Sequence, residues 1–371
     1  MMQSGTKTAV YFGGGLLAVI VAIYVGLSTL DEAATAIPTV AEQGATPVAV
    51  DKSRFDQAPQ LVGIADYINT SPEELDAEIE GSVVLYDIWT YSCINCIRTL
   101  PHITAWDERY ADDGLLIIGI HSPEFEFEKD LNNVIMAVEN NGIEYPVVLD
   151  NDKETWKAFE NRYWPRKFIA DHEGFIRYDH IGEGAYDETE RVIQRLLEER
   201  AEAFGMQVAA AEGLVDIDAF EHSSFRTPEL YFGYLFAQGR NQLGNPEGFE
   251  PGSVVDYSLP QDFRKHYFYL DGTWGNHQDG MSLVSDSGVI VLEYAAKEVN
   301  IVAGGDADLR ITLDGMPVPD RVAGADITED STIQVREHDL YNVISGDASE
   351  THLLRIESDQ PGFEIFTFTF G

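Results

Sequence analysis

The sequence has very few cysteines: Cys93 and Cys96 are the only two among its 371 residues, and they stand three positions apart. A zinc site would need two more thiolate or imidazole ligands at matching spacing, and no second Cys-x-x-Cys occurs. Because both cysteines belong to one motif, none is left for a structural disulfide, and the domains must be stabilised by hydrophobic cores. The pair is therefore either redox-active or an inert buried pair.

Basic residues are also scarce, with 24 Lys and Arg against 64 Asp and Glu and a formal net charge of −40. The acids are spread along the chain, so nucleic acid and anionic membrane surfaces would be repelled, and we expect no nucleic-acid partner. Only eight of the basic residues are lysines. Acid-rich, lysine-poor surfaces are typical of salt-adapted organisms, in which the Debye length falls to ~3 Å at 1 M salt. The composition therefore predicts a halophilic protein.

One stretch near the N-terminus, Ala9–Leu30, has no charge in 22 residues. At ~1.5 Å rise per residue it reaches about 33 Å, which is enough to cross a bilayer core. Lys7 precedes it and two acids follow it, a charge bias that predicts a cytoplasmic N-terminus and an extracytoplasmic location for the rest of the chain. A cleaved signal peptide, with small residues at Ala34–Ala36, is the main alternative, and a buried core helix is another.

The cysteine pair follows an apolar run, Val83–Ile88, that reads as a buried strand. A cysteine at the start of the helix after such a strand meets the positive end of the helix dipole, which stabilises its thiolate. The flanking residues agree with redox chemistry: Trp89 precedes Cys93 by four positions, Asp87 precedes it by six, and Pro101 follows it by eight. These offsets match the thioredoxin motif, in which an aromatic residue, a buried acid and a helix-kinking proline surround the two sulfurs.

The segments around this motif alternate between apolar strands and helical stretches, which predicts a largely parallel sheet buried on both faces. A hairpin, Lys167–Asp171 and Phe175–His180, and a helix capped at Asp187 and ending at Gly205 would complete a thioredoxin-type module. Pro165 precedes the hairpin, at the position of the cis-proline that faces the cysteines in this fold. The backbone of Trp164 would pair with a substrate strand, and its ring would narrow the groove.

From about Thr227 the pattern changes to short β-rich runs separated by Gly, Asp and Pro turns. Seven or so such strands, among them 287–294, 299–302 and 352–356, suggest an antiparallel sandwich of jelly-roll type. Its aromatic residues are candidates for a sugar-stacking surface, although aromatics in strands mostly belong to the core. The candidates are Trp274, Tyr267, Tyr269 and His277.

Together these motifs resemble the soluble part of DipZ-type proteins, in which a TlpA-like thioredoxin domain precedes a β-sandwich similar to carbohydrate-binding modules. The resemblance covers about Pro59 to Gly371, and the matching segments are 87–101, 119–128, 162–165, 181–184, 227–234 and 366–371. It implies that Glu124 lies near the cysteines, and that Tyr91 belongs to the substrate groove with Trp164 and Pro165. DipZ-type proteins also carry a multi-span CcdA-like electron conduit, whereas this chain has one predicted span, so a separate CcdA-type donor is expected.

The predicted fold class is thus an α/β thioredoxin-like domain plus an all-β jelly-roll sandwich, preceded by one transmembrane helix. The predicted segments are a membrane anchor (1–32), a linker (33–57), the thioredoxin-like domain (58–205), a second linker (206–226) and the sandwich (227–371).

The chemistry predicted for the cysteines needs no cofactor and no metal. Cys93 attacks a disulfide of a partner protein, Cys96 resolves the mixed disulfide, and Asp87 accepts the Cys96 proton. The intervening Ile94-Asn95 supplies no cation or imidazole to stabilise the reduced form, which favours a reductant. The alternatives are a disulfide-forming oxidant, a copper chaperone that uses both cysteines and His180, and a wall-glycan-binding protein.

Overall fold

The computed structural model describes residues 51–207, 213–222, 226–237, 239–240 and 242–371. The predicted anchor and most of the first linker lie outside these residues. Among the described residues, no helix is both long enough and apolar enough to span a membrane. Lys52–Gly371 form a single unit, in which the two predicted domains have separate sheets and share an interface.

The first domain is built on a six-stranded sheet. The strands are β1 (Tyr67–Ile68), β2 (Val83–Trp89), β3 (Leu115–His121), β4 (Val147–Leu149), β5 (Arg166–Ala170) and β6 (Ile176–Ile181). Their order in the sheet is β1-β4-β3-β2-β5-β6. Strand β2 lies near its centre, pairs in parallel with β3 and antiparallel with β5, and has all seven residues buried because helices and loops cover both faces. Strands β3 and β4 are also parallel, whereas β1 and β6 are antiparallel to their neighbours.

Five helices accompany this sheet: α1 (Pro72–Ile79), α2 (Ile94–Tyr110), α3 (Leu131–Asn140), α4 (Glu154–Ala158) and α5 (Tyr186–Phe204). Before α3 the chain forms a separate 3-10 turn, Glu126–Lys129, and α3 begins after it because Asp130 caps α3 through the N–H of Asn132. The predicted cap Asp187 is wrong by two positions, since the cap position of α5 is Ala185, which has φ 49° and no capping side chain. The expected stop at Gly205 is confirmed, with φ 65°.

The second domain is all-β, as expected, and its strands form one continuous antiparallel sheet. The strands are β7 (Leu230–Tyr231), β8 (Val254–Tyr257), β9 (Phe268–Asn276), β10 (Met281–Leu283), β11 (Gly288–Gly304), β12 (Ala307–Leu313), β13 (Met316–Pro317), β14 (Thr332–Val335), β15 (Asp339–Ser358) and β16 (Glu364–Phe370). Two long strands make most of the pairings: β11 pairs with β9, β15 and β16, and β15 also pairs with β12.

Two strands expected in this domain, 287–294 and 299–302, are parts of the single strand β11. The register shifts twice along its pairing with β15, as it does at β-bulges. The predicted run 352–356 is likewise only the end of β15. Jelly-roll connectivity stays a prediction.

The two domains meet through the segment that follows β3. Phe125 and Phe127 of this segment pack against Phe366 of β16, with ring centroids 5.4 and 4.7 Å away. Near the active-site helix, Arg98 of α2 forms an ion pair with Glu298 of β11 at 2.7 Å. Since aromatic packing and a well-buried ion pair both join the domains, the second domain contacts both helix α2 and the segment after β3.

Candidate active site

The two cysteines occupy the first turn of α2. Cys93 is the N-cap residue and is half-buried, whereas Cys96, three residues later in the same turn, is only 1% exposed. Both thiols are free in this structure. Burial raises the pKa of the Cys96 thiol well above its ordinary value, and the adjacent Cys93 and the carboxylate of Asp87 act in the same direction. The geometry thus provides one accessible sulfur at a helix N-terminus and one shielded sulfur behind it.

Asp87 lies beneath the cysteines. It points to the same face of β2 as Leu85 and Trp89, which pack in the core cluster that contains Cys96. Its side chain is 1% exposed, and its Oδ1 has no hydrogen-bond partner among the described residues. Burial raises the pKa of Asp87 to about 6, and the positive charge of Lys167 limits the rise. A carboxylate in this position is able to accept a proton from Cys96 near neutral pH.

Lys167 was not among the predicted site residues, and the structure buries it completely. It stands directly opposite Asp87 in the β2–β5 ladder, so the two side chains project from the same face of the sheet. Its Nζ donates a hydrogen bond to the carbonyl of Gly182 at 3.2 Å. Burial lowers the pKa of Lys167, while Asp87, Cys96 and Glu183 favour its charged form. The only signal in the sequence was a lysine directly before the apolar run Phe168–Ala170.

Two of the predicted aromatic residues pack with the cysteines: Trp89 belongs to the core cluster that contains Cys96, and Trp164 lies against that cluster. Trp89 is fully buried, with its ring edge against His121 at 5.4 Å between centroids. The peptide bond between Trp164 and Pro165 is cis, which confirms that expectation. The Trp164 ring is held by a hydrogen bond from Nε1 to the carbonyl of Ser122 at 2.8 Å and lies 4.3 Å from the ring of Trp156. Its role in narrowing a substrate groove stays a prediction.

Tyr91 does not line an open groove, contrary to the prediction. It is 4% exposed, and its hydroxyl donates to the carbonyl of His338 in the second domain at 3.1 Å. The ring stacks on His121 at 5.7 Å. The sequence could not show this, because the contact is with His338, which lies 247 positions later in the chain.

Glu124 also faces the second domain: its Oε1 accepts a hydrogen bond from the hydroxyl of Tyr231 at 2.9 Å. Burial, with Glu229 and Glu128 nearby, raises its pKa to about 8. The acid that reaches the cysteine motif is instead Glu128, whose Oε1 accepts from the Ser92 hydroxyl at 2.6 Å. Both acids follow β3 in an alternating acid–aromatic run, and no pattern within that run singles out Glu128.

The residues behind two alternative functions are placed as follows. His180 lies on β6, where its Nε2 is 3.2 Å from the carbonyl of Glu183. In the part of the chain that the structure describes, no group of three or more His, Cys, Asp or Glu side chains is arranged to hold a metal ion.

The predicted sugar-stacking surface is wrong for Trp274 and Tyr269. They are 0% and 2% exposed because both faces of β9 are covered, so neither ring can present its face to a ligand. Tyr267 is half-buried beneath the guanidinium of Arg264, and His277 is exposed and bonded to Ser282. A glycan ligand for the second domain therefore stays a prediction.

Comparison with known proteins agrees with this organisation. Residues 57–179 match the AhpC/TSA family, and residues 227–371 match the thioredoxin-like C-terminal domain family. The chain is 35% identical to DipZ of Mycobacterium tuberculosis over 317 residues, which are 85% of this chain and 43% of DipZ. The resemblance to DipZ-type proteins is thereby confirmed, although the chain spans less than half the length of that relative.

Two further relatives match a little more than a third of the chain. The thiol-disulfide oxidoreductase YkuV of Bacillus subtilis is 27% identical over 38% of this chain and 94% of its own length. Human NHL repeat-containing protein 2 is 40% identical over 35% of this chain and 18% of its own length.

Proposed function

From the premise that this chain is a homologue of DipZ with a thioredoxin-type domain, we propose that it is a thiol–disulfide oxidoreductase. The observation that carries the proposal is the pairing of a half-exposed Cys93 at a helix N-terminus with a buried Cys96 above the carboxylate of Asp87. In this motif the exposed sulfur meets the substrate, and the buried sulfur completes the exchange.

The reaction consists of two exchanges. The Cys93 thiolate attacks one sulfur of a substrate disulfide, a mixed disulfide forms, and the other substrate sulfur leaves as a thiolate. Cys96 then gives its proton to Asp87 and attacks the sulfur of Cys93, and the second substrate sulfur leaves. Two electrons pass to the substrate, and the enzyme is left with a Cys93–Cys96 disulfide that a donor must reduce again.

Asp87 is suited to accept the proton in the second exchange. With a pKa of about 6 it is mostly ionised at neutral pH, yet it is a stronger base than an exposed aspartate. The proton arrives from a thiol whose pKa is raised by burial. Asp87→Asn is therefore expected to slow the resolution of the mixed disulfide and to leave the first attack by Cys93 unchanged.

The activity is tested by reduction of insulin with dithiothreitol as the electron donor. Cys93→Ser is expected to abolish catalysis, and Cys96→Ser to stop after formation of one mixed disulfide. Asp152→Asn, which alters an exposed acid, serves as the matched control for Asp87→Asn. Full reductase activity in Cys93→Ser would contradict the proposal.

We also propose that the protein acts as a reductant, because Ile94 and Asn95 add no cation or imidazole that would stabilise the reduced pair. Its reduction potential is then expected near thioredoxin's value of about −270 mV, far from the about −120 mV of a strong oxidant. Equilibration with a series of glutathione buffers measures this potential. A midpoint above about −180 mV would instead support the disulfide-forming alternative.

We also propose that the enzyme is membrane-anchored and extracytoplasmic, which the uncharged stretch Ala9–Leu30 supports. The resemblance to DipZ-type proteins suggests that its electrons come from a separate CcdA-type protein. Protease added to intact cells is expected to cut the linker around residues 41–49 and to release the remaining chain. A soluble product that begins near Ile37 without protease would show that the segment is a cleaved signal instead.

A further inference from the structure

Glu128 is a completely buried carboxylate that touches the residue before the reactive cysteine. Its Oε1 accepts a hydrogen bond from the Ser92 hydroxyl at 2.6 Å and a longer one from the Ser92 N–H at 3.4 Å. Its Oε2 accepts from the N–H groups of Glu124 and Phe125, the latter at 2.9 Å. One carboxylate therefore ties the turn that carries Cys93 to the segment after β3.

The segment at the other end of this link is itself held by the second domain. Phe125 and Phe127 precede Glu128 in the sequence and pack against Phe366, and the ring of Phe127 also stacks on His338 at 4.9 Å. Ser92, on the cysteine side, is 2% exposed. Since these two aromatic side chains anchor the segment directly before the carboxylate, Glu128 has little freedom to follow a moving turn.

An ionised carboxylate is costly to bury unless hydrogen-bond donors replace its water shell. The four donors around Glu128 do so, and two of them belong to Ser92. Loss of this carboxylate would leave the Ser92 groups and two backbone N–H groups buried without an acceptor. The turn before Cys93 would then lose the contact that defines its position relative to the first turn of α2.

We propose that Glu128 is a positioning residue that holds Ser92 in place and so keeps the Cys93 thiolate aligned with the N-terminus of α2. This inference rests on the proposed thiol chemistry of Cys93. Glu128 acts through the shape and the hydrogen bonds of its carboxylate. Its negative charge has the opposite effect, because a negative charge close to a thiolate disfavours the thiolate.

Two variants separate positioning from charge. Ser92→Ala removes the hydroxyl donor and keeps the carboxylate, whereas Glu128→Gln keeps the side-chain shape, removes the charge and replaces one acceptor oxygen by an NH2 group. We expect iodoacetamide to alkylate Cys93 about tenfold more slowly at pH 7 in Glu128→Gln, and a few-fold more slowly in Ser92→Ala. For disulfide reduction, kcat is expected to fall with KM unchanged. Glu126→Gln, on the same segment with an exposed side chain, is the matched control.

Slower alkylation in both variants, with the control at the wild-type rate, would support the proposal. Faster alkylation in Glu128→Gln with Ser92→Ala unchanged would show that only the charge acts, and would overturn it. So would wild-type rates in both variants accompanied by a lower melting temperature, since that is the result of a purely structural role. If the wild-type protein failed to reduce disulfides, the proposed function would fail, while the alkylation rates would still decide the role of Glu128.

Discussion

Replacement of Lys167 by methionine is expected to move the pH dependence of the second exchange. Methionine fills a similar volume and removes the buried positive charge opposite Asp87. The Cβ atoms of two directly opposite residues in neighbouring strands lie about 5 Å apart, and we use about 6 Å for the distance between the carboxylate and the ammonium group. At an effective dielectric constant of about 20, their attraction is about 3 kcal/mol, which corresponds to about two pKa units for Asp87.

Without Lys167, the pKa of Asp87 should therefore rise from about 6 to about 8. At pH 7 the ionised fraction of Asp87 falls from about 90% to about 10%, and proton transfer from Cys96 slows by about tenfold. At pH 9 most of the loss should be recovered, because Asp87 is ionised again. The first attack by Cys93 should keep its wild-type rate.

The assay is a single turnover followed by stopped flow from pH 5 to 10, with the release of the second substrate thiol as the signal. Lys157→Met, which removes an exposed lysine, is the control. In an Asp87→Asn background, Lys167→Met should no longer move the pH profile. An unchanged midpoint in the Asp87 protein, or a midpoint shifted to lower pH, would refute this assignment of Lys167.

Three further predictions concern stability. Because the pKa of Asp87 is raised on folding, the folded state holds this proton more tightly, and the free energy of unfolding falls as the pH rises from about 4 to 6. Asp87→Asn should therefore stabilise the protein by about 1–3 kcal/mol at pH 7 and give no gain at pH 3.5, as measured by urea titration. An equal gain at both pH values would disprove that linkage. Tyr91→Phe removes the hydrogen bond to His338 and should cost about 0.5–1.5 kcal/mol with reductase activity within about twofold, whereas a full loss of activity would place Tyr91 in the substrate groove. With a net charge of −40, the melting temperature should rise between roughly 0.1 and 2 M KCl, and a flat response would contradict the salt-adaptation hypothesis.

Several parts of the site could be predicted because local sequence determines them. The positions of Cys93, Cys96 and Asp87 follow from a strand that leads directly into a helix, and Pro165 follows from its place before the hairpin. Such features depend on spacing along one or two adjacent elements. The order of strands and helices in the first domain follows from the same local patterns.

Other parts depend on contacts between distant segments. Glu124 and Glu128 have the same chemistry and follow the same strand, and only the 3-10 turn at Glu126–Lys129 decides which of them reaches Ser92. Tyr91 is buried by a domain that begins more than a hundred residues later. Aromatic residues of β9 could not be assigned to a surface, because both faces of that strand are covered.

The most direct test of the proposed chemistry is the location of a mixed disulfide in Cys96→Ser. The variant is incubated with oxidised glutathione and its adducts are mapped by mass spectrometry, with Cys93→Ser treated in parallel. We predict one glutathione on Cys93 in the first protein and no adduct at the same time point in the second, because Cys96 is buried. An adduct on Cys96 in Cys93→Ser that forms as fast, or no adduct on Cys93 in Cys96→Ser, would contradict the assignment of Cys93 as the attacking sulfur.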